Sequence, residues 1–163
     1  MARSDMFLKL ETSRAGLIKG ESVDPDHKEE IDVIAWSWGM RAKTSMGSGG
    51  SVSKATLRDI KIRKRVDHAS TALMSAARNN DLVKSAALSV RKAGAPAIEY
   101  LTIKLEKGRI TAVDVESSGD EAPELLESIE MSFQKITVEY RPQGSEGGKR
   151  GATQFEAEVE AEA

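Results

Sequence analysis

His27-Lys28-Glu29-Glu30-Ile31-Asp32-Val33-Ile34-Ala35-Trp36-Ser37-Trp38-Gly39 holds both tryptophans of the chain, two residues apart. Side chains two positions apart share one face of a strand. Ile34, Trp36, Trp38 and Met40 therefore project one way, and Ile31, Val33, Ala35 and then Ser37 the other. Apolar residues on both faces mark a strand covered on both sides, so the run predicts a central strand. Trp36 and Trp38 are then core packing residues, as buried aromatics usually are. The glycine-rich stretch Gly47-Ser48-Gly49-Gly50-Ser51 stops the pattern.

On the N-terminal side, residues 6–10 put Met6, Leu8 and Leu10 on one face of a short strand. Residues 12–16 read as a turn and 17–22 as a second extended piece. Asp24-Pro25-Asp26 is a turn signal, because proline fixes φ and the flanking aspartates bond to nearby backbone. On the C-terminal side, the connection over about 41–54 has no apolar period and is rich in glycine and serine. Compact domains rarely carry so long a structureless loop without a use for it. It reads either as a mobile tip or as an arm that leaves the domain and docks elsewhere.

Residues 57–66 alternate Ile60 and Ile62 with Lys61, Arg63 and Arg65, a half-buried strand with a solvated face. Asp67 or Ser70 can cap the one clear helix, with Leu73, Ala76 and Ala77 on its inner side and Asn79-Asn80-Asp81 ending it. Ala86, Leu88 and Val90 start a new strand, which runs to a glycine–proline turn at 93–96. Leu101, Ile103 and Leu105 follow, and Lys107-Gly108 predicts a tight hairpin into 109–116. Over 128–141, Ile129, Met131 and Phe133 share one face while Ile136, Val138 and Tyr140 share the other. The phase slips near Gln134-Lys135, where a bulge would bend the strand to serve two layers. Phe133 and Tyr140 join the tryptophans as core residues. After a turn-rich linker, the tail over 152–163 alternates Phe155, Ala157 and Val159 with glutamates, an edge strand or a frayed end. Evenly spaced strands with one helix predict a mainly β fold: an antiparallel barrel of two packed sheets with a flanking helix and a long loop, as one domain over 1–163.

With 163 residues the chain can bury one substantial core. Its 24 basic and 26 acidic residues give a formal charge of −2. That balance argues against a general nucleic-acid binder, which needs a basic surface to displace counterions, so Lys61 to Arg65 reads as a solvated face. Cysteine is absent, which removes disulfides, thiol nucleophiles and thiolate metal sites. No run approaches a membrane span, and the start lacks an apolar signal core. A protein made in the cytoplasm without a signal peptide is expected, with no stable membrane insertion.

No motif carries catalysis. His27 and His68, too far apart for a short-spaced metal pair, read as turn or cap residues. Glu29, Glu30, Glu124 and Glu127 read as ordinary surface acids. The glycine-rich loop lacks the lysine and the following helix of a phosphate loop. No cofactor, metal or enzymatic activity is expected.

Taken together, Asp5 to Leu10, Ile18 to Ser22, His27 with Glu29 to Met40, the glycine-rich loop, Val90 to Gly94, Glu99-Tyr100-Leu101 and Phe133 to Gln143 resemble the haemolysin-coregulated protein (Hcp) family of bacterial type VI secretion systems. The likeness runs through nearly the whole chain in order. Two departures stand out: residues 12–16 are a small insertion, and Ala157 replaces a tryptophan frequent in the family. The resemblance implies six copies closing into a ring, rings stacking into an inner tube expelled by a contractile sheath, and small effector proteins in the lumen. Sheath, spike and baseplate proteins are the implied partners, and the exterior or a target cell the destination. The arm, with Met40, Arg41, Lys43, Ser45, Met46, Gly47, Gly49, Gly50 and Lys54, would contact an adjoining subunit or ring. Ser37, facing away from the tryptophans, would line the lumen, with a subunit contact as the alternative. The competing reading is a monomeric ligand-binding barrel with no role in secretion.

Overall fold

Alternation of apolar and polar residues carries most of the chain into strands. The computed structural model describes residues 5–42, 54–92, 98–119, 124–142 and 151–159. In chain order these form β1 (Met6–Thr12), β2 (Gly16–Ile18), β3 (Ile31–Asp32), β4 (Ala35–Ser37), β5 (Met40–Arg41), β6 (Thr56–Leu57) and β7 (Ile60–Arg65). The helix α1 (Ser70–Arg78) follows, then β8 (Val83–Lys92), β9 (Ile98–Gly108), β10 (Ile110–Ser117), β11 (Leu125–Met131), β12 (Lys135–Tyr140) and β13 (Thr153–Glu158). One antiparallel sheet runs β13-β12-β9-β8-β1-β2, with β3 also on β1; a four-stranded sheet runs β10-β11-β7-β4; β5 and β6 form a separate ribbon. The barrel is thus two packed sheets, not one closed ladder. Leu8, Leu10, Leu88, Ile103, Leu105 and Ile136 from the larger sheet meet Ile60, Ile62, Ile129 and Met131 from the smaller, with Leu73 and Ala76 of α1 alongside.

The tryptophan stretch is not one central strand. Val33 donates its N–H to Met6 O at 3.0 Å, in the larger sheet, whereas Ile34 donates to Arg63 O at 2.8 Å, in the smaller. Adjacent amides therefore serve different sheets, and the chain turns a corner between them. Ile31 and Val33 are fully buried, but Ala35 and Ser37 are exposed. A chain that changes layers buries apolar side chains from both faces of its run without being covered on both sides.

Two further corners lie where continuous pairing was predicted. The turn at Lys107-Gly108 does not close a hairpin, because β9 pairs with β8 and β12 while β10 pairs with β11. The phase slip near Gln134 is likewise a change of sheet, from β11 to β12 across residues 132–134, not a bulge within one strand. The tail resolves as the edge strand β13, paired with β12. The insertion at 12–16 is a tight β1–β2 hairpin, its tip fixed by Ser13 N–H donating to Leu82 O at 2.9 Å and Arg14 N–H to Asp81 Oδ1 at 3.2 Å.

The segment 19–30 lies across the outer face of the larger sheet and covers Phe7, which is 1% exposed. His27 sits in a turn, as expected, with its N–H on Asp24 O. Its ring also stacks on Phe7 with centroids 4.4 Å apart, while Nδ1 faces Glu30 at 3.0 Å and Nε2 faces Glu99. The Arg91 guanidinium lies 4.9 Å from the centre of the same Phe7 ring and donates to both oxygens of Asp24. That hydrogen bond holds the Asp24 carboxyl below its usual 3.8, against the opposing effect of burial. The link is therefore intact above that value and is lost as pH falls through the depressed one. Replacing Arg91 with Ala at neutral pH is expected to speed amide exchange at Gly20, Ser22 and Glu29 about tenfold, leaving the β8–β9 ladder unchanged. Acidifying the unaltered protein should loosen the same amides. Unchanged exchange at those three positions in Arg91→Ala would show that the segment is held by other contacts.

Candidate functional site: the outer face of the four-stranded sheet

Pairing register lays out this face in rows. One row is Asp114–Ser128–Arg63–Ala35, the next Ala112–Glu130–Lys61–Ser37, and a third Glu116–Leu126–Arg65. The alternate residues Lys64, Ile62 and Ile60 of β7, with Glu127, Ile129 and Met131 of β11, turn inward and are buried. Between the rows a cleft of about 510 Å³ opens outward, lined by Ala35, Ser37, Lys61, Arg63, Asp114 and Ser128 among others. A second cleft, of about 310 Å³, shares Ser37, Lys61 and Glu130 and continues toward Trp38 and Asp59. The face is small-residued and polar; Leu126, its one sizeable aliphatic residue, is only 8% exposed.

The basic run on β7 is matched across strands. Lys61 pairs with Glu130 at 3.2 Å, Arg63 with Glu116 at 3.3 Å and Arg65 with Glu124 at 3.0 Å. Solvent screening makes such exposed pairs weak, but they leave no excess of positive charge on this face for a phosphate backbone. Lys64 differs from its neighbours. It is fully buried and its Nζ reaches Glu127 at 2.8 Å, Asp67 at 2.9 Å and Ser70 Oγ at 3.2 Å. Reading Glu127 as a surface acid is therefore corrected: it too is fully buried, and accepts a hydrogen bond from the Ser70 hydroxyl. Its pattern, inward-facing beside apolar Ile129, was the signal that sequence reasoning passed over.

Ser37 lies on the outer face and is exposed, pointing away from Trp36, which faces Ile62. Trp36 and Trp38 pack against the core but are only partly buried, because β4 is an edge strand and not a central one. Trp38 donates its indole N–H to Arg58 O at 2.9 Å and lies 6.4 Å from the Phe155 ring, joining the ribbon's root to β13. Phe133 is 6% exposed. Tyr140 is corrected: at 46% exposure, at the end of β12, it does not reach the core. Met40 and Arg41 pair with Leu57 and Thr56, so the arm springs from a two-stranded ribbon on which Met40 and Arg41 are exposed, as is Lys54 just ahead of β6. Lys43, Ser45, Met46, Gly47, Gly49 and Gly50 lie outside the described residues. Among the described residues no group of three or more histidines and acids is placed to hold a metal ion, and no helix is long and apolar enough to cross a membrane.

Comparison with known proteins bears on this arrangement. The family model described as "Type VI secretion system effector, Hcp" matches residues 7–140. The protein hcp1 of Pseudomonas aeruginosa is 39% identical over 150 residues, covering 90% of this chain and 89% of that one. A crystal structure of a type VI secretion system effector from Yersinia pestis is 34% identical, with a TM-score of 0.75 over 95% of this chain and 100% of that one. The crystal structure of Hcp1 from Salmonella typhimurium is 27% identical, with a TM-score of 0.72 over 94% and 95% of the two chains.

Proposed function

The chain belongs to the Hcp family of type VI secretion systems, and on that premise we propose that it is the subunit of the apparatus's inner tube. Six copies close into a ring, rings stack, and the tube is expelled from the cell with small effector proteins in its lumen. Head-to-tail contacts close into a ring when their rotation closes. The sheet edges at β2, β4, β10 and β13 supply surfaces for such neighbours. Sheath, spike and baseplate proteins are its partners, and no substrate is transformed.

One observation carries the placement of the lumen. The outer face of the four-stranded sheet offers Ala35, Ser37, Ala112 and Ser128, with each base of β7 on that face spanned by an acid. A wall of small side chains and matched charges leaves room for a passenger and little to adhere to. The rival ligand-binding barrel has less to use, because the space between the sheets is filled by aliphatic side chains and these clefts lie outside it. Electron microscopy and sedimentation of the purified protein test the reading: annular hexamers are expected, and a strict monomer at high concentration overturns it.

The arm is rooted in the ribbon β5–β6, which pairs with neither of the other sheets and so suits a reach to an adjoining subunit or ring. Deleting 47–51 is expected to leave circular dichroism unchanged and to raise the concentration needed for assembly. Rings of undiminished stability would take the arm out of the interface.

A further inference from the structure

We propose that His27 is a proton-operated clasp: with both ring nitrogens protonated it closes the turn at 27–30 and ties that turn to the start of β9, and losing a proton opens one of the two contacts. A single chain suffices for it, so it holds whether or not rings form. Nδ1 lies 3.0 Å from Glu30 Oε2, and Nε2 meets Glu99 Oε1. Ionised carboxylates accept hydrogen bonds and donate none, while a neutral imidazole offers one N–H and one lone pair. Only the imidazolium therefore makes both contacts; a neutral ring sets its lone pair against one of the two carboxylates. The ring has little freedom to turn away. It is buried and stacked on Phe7, and its backbone is held by His27 N–H on Asp24 O at 3.1 Å and Glu30 N–H on His27 O at 3.2 Å.

The charges around the ring make its own charge matter. The Arg91 guanidinium, near the same Phe7 ring, is bound to Asp24, with Asp5 at 3.8 Å and Asp26 at 4.0 Å. Glu99 is the register partner of Arg91 between β8 and β9, yet its carboxylate meets His27. Lys19 on the same segment is engaged by Glu29. A neutral His27 thus leaves Arg91 among Asp5, Asp24, Asp26, Glu30 and Glu99. The turn that brings Glu30 back to the ring passes through Glu29, whose φ of 64° is left-handed and persists in a non-glycine residue only where neighbours enforce it. Opening the clasp removes one of the contacts that enforce it. The clasp contributes below the range in which imidazoles lose their proton and fades as pH rises through it. The Arg91–Asp24 link behaves in the opposite sense, failing when Asp24 takes up a proton. Segment 19–30 is therefore held over Phe7 most firmly in mildly acidic solution.

The test compares the full chain at about pH 5.5 and about pH 8.5, either side of the ordinary imidazole range. Nitrogen NMR of the rings reads the protons, and hydrogen exchange, corrected for its intrinsic pH dependence, reads the segment. At the lower pH both ring nitrogens of His27 are expected to carry protons. Protection at Gly20, Ser22, Glu29 and Glu30, whose amides bond within the segment, should be about tenfold greater there than at the higher pH. His68, exposed and outside the segment, is the control, and His68→Gln keeps the step. His27→Gln abolishes it, leaving the lower protection at both values. Glu99→Gln, at an exposed position, cuts the step to about threefold and serves where His27→Gln does not fold. Asp32, the register partner of Phe7, is the other group to separate, because burial raises its carboxyl above the usual 3.8. A step that survives in His27→Gln, or in full in Glu99→Gln, belongs elsewhere and overturns the clasp. So does equal protection at the two pH values, or a His27 ring with one protonated nitrogen at the lower.

Discussion

Lys64→Ala is expected to cost about 3–5 kcal/mol of folding stability, the usual penalty for stranding one partner of a buried pair. All three ammonium hydrogens have partners: Glu127 on β11, Asp67 ahead of α1, and Ser70 in its first turn. Removing the ammonium leaves Glu127 fully buried with the Ser70 hydroxyl as its only described donor, and its Oε1 has no hydrogen-bond partner among the described residues. Chemical denaturation measures the loss. The companion Lys64→Met with Glu127→Leu should recover most of it, because an apolar pair of similar volume is often neutral or better. If the double variant is no more stable than Lys64→Ala, the deficit comes from packing and not from stranded charge.

Gly108→Ala should be nearly as damaging, at roughly 3 kcal/mol or loss of soluble protein. A Cβ there would sit 2.0 Å from Ser132 O and 3.4 Å from Phe133 Cα, both backbone atoms that no side-chain rotation can clear. Gly108 and Ser132 lie at the two neighbouring corners, where β9 leads to β10 and β11 to β12. Gly39→Ala is the control, since its nearest neighbour is an Arg58 guanidinium nitrogen at 3.9 Å. A Gly108→Ala melting temperature equal to that of the control would mean the corners have slack.

Most strands were legible because alternation is local: Leu8 and Leu10, Ile60 and Ile62, or Ile103 and Leu105 declare a buried face unaided. The corners were not. A run such as 31–38 looks the same whether it is covered twice or crosses between layers, and only the partners of Val33 and Ile34 distinguish the two. The phase slip at Gln134 was visible, but a bulge and a change of sheet leave the same mark on one strand's sequence. The core pattern also misled at its ends. Tyr140 is in phase with Ile136 and Val138 yet lies beyond the packed region, while Lys64 and Glu127 are in phase with the core and charged. Of the candidate site, the outward Ser37 and the basic run were readable. The acids that match that run come from strands about fifty to seventy residues away, a distance no local pattern spans.

The order of the strands has a consequence for how this protein is born. Successive stretches of chain are dealt alternately to the two layers: β1–β3 to one, β4 and β7 to the other, β8–β9 back, β10–β11 across, β12–β13 back again. The smaller layer lacks its last strand until Met131 has left the ribosome, and the larger until Glu158 has, so neither layer can ripen from half of the chain. Such non-local wiring makes folding slow, and a half-made chain offers no finished layer to any neighbour.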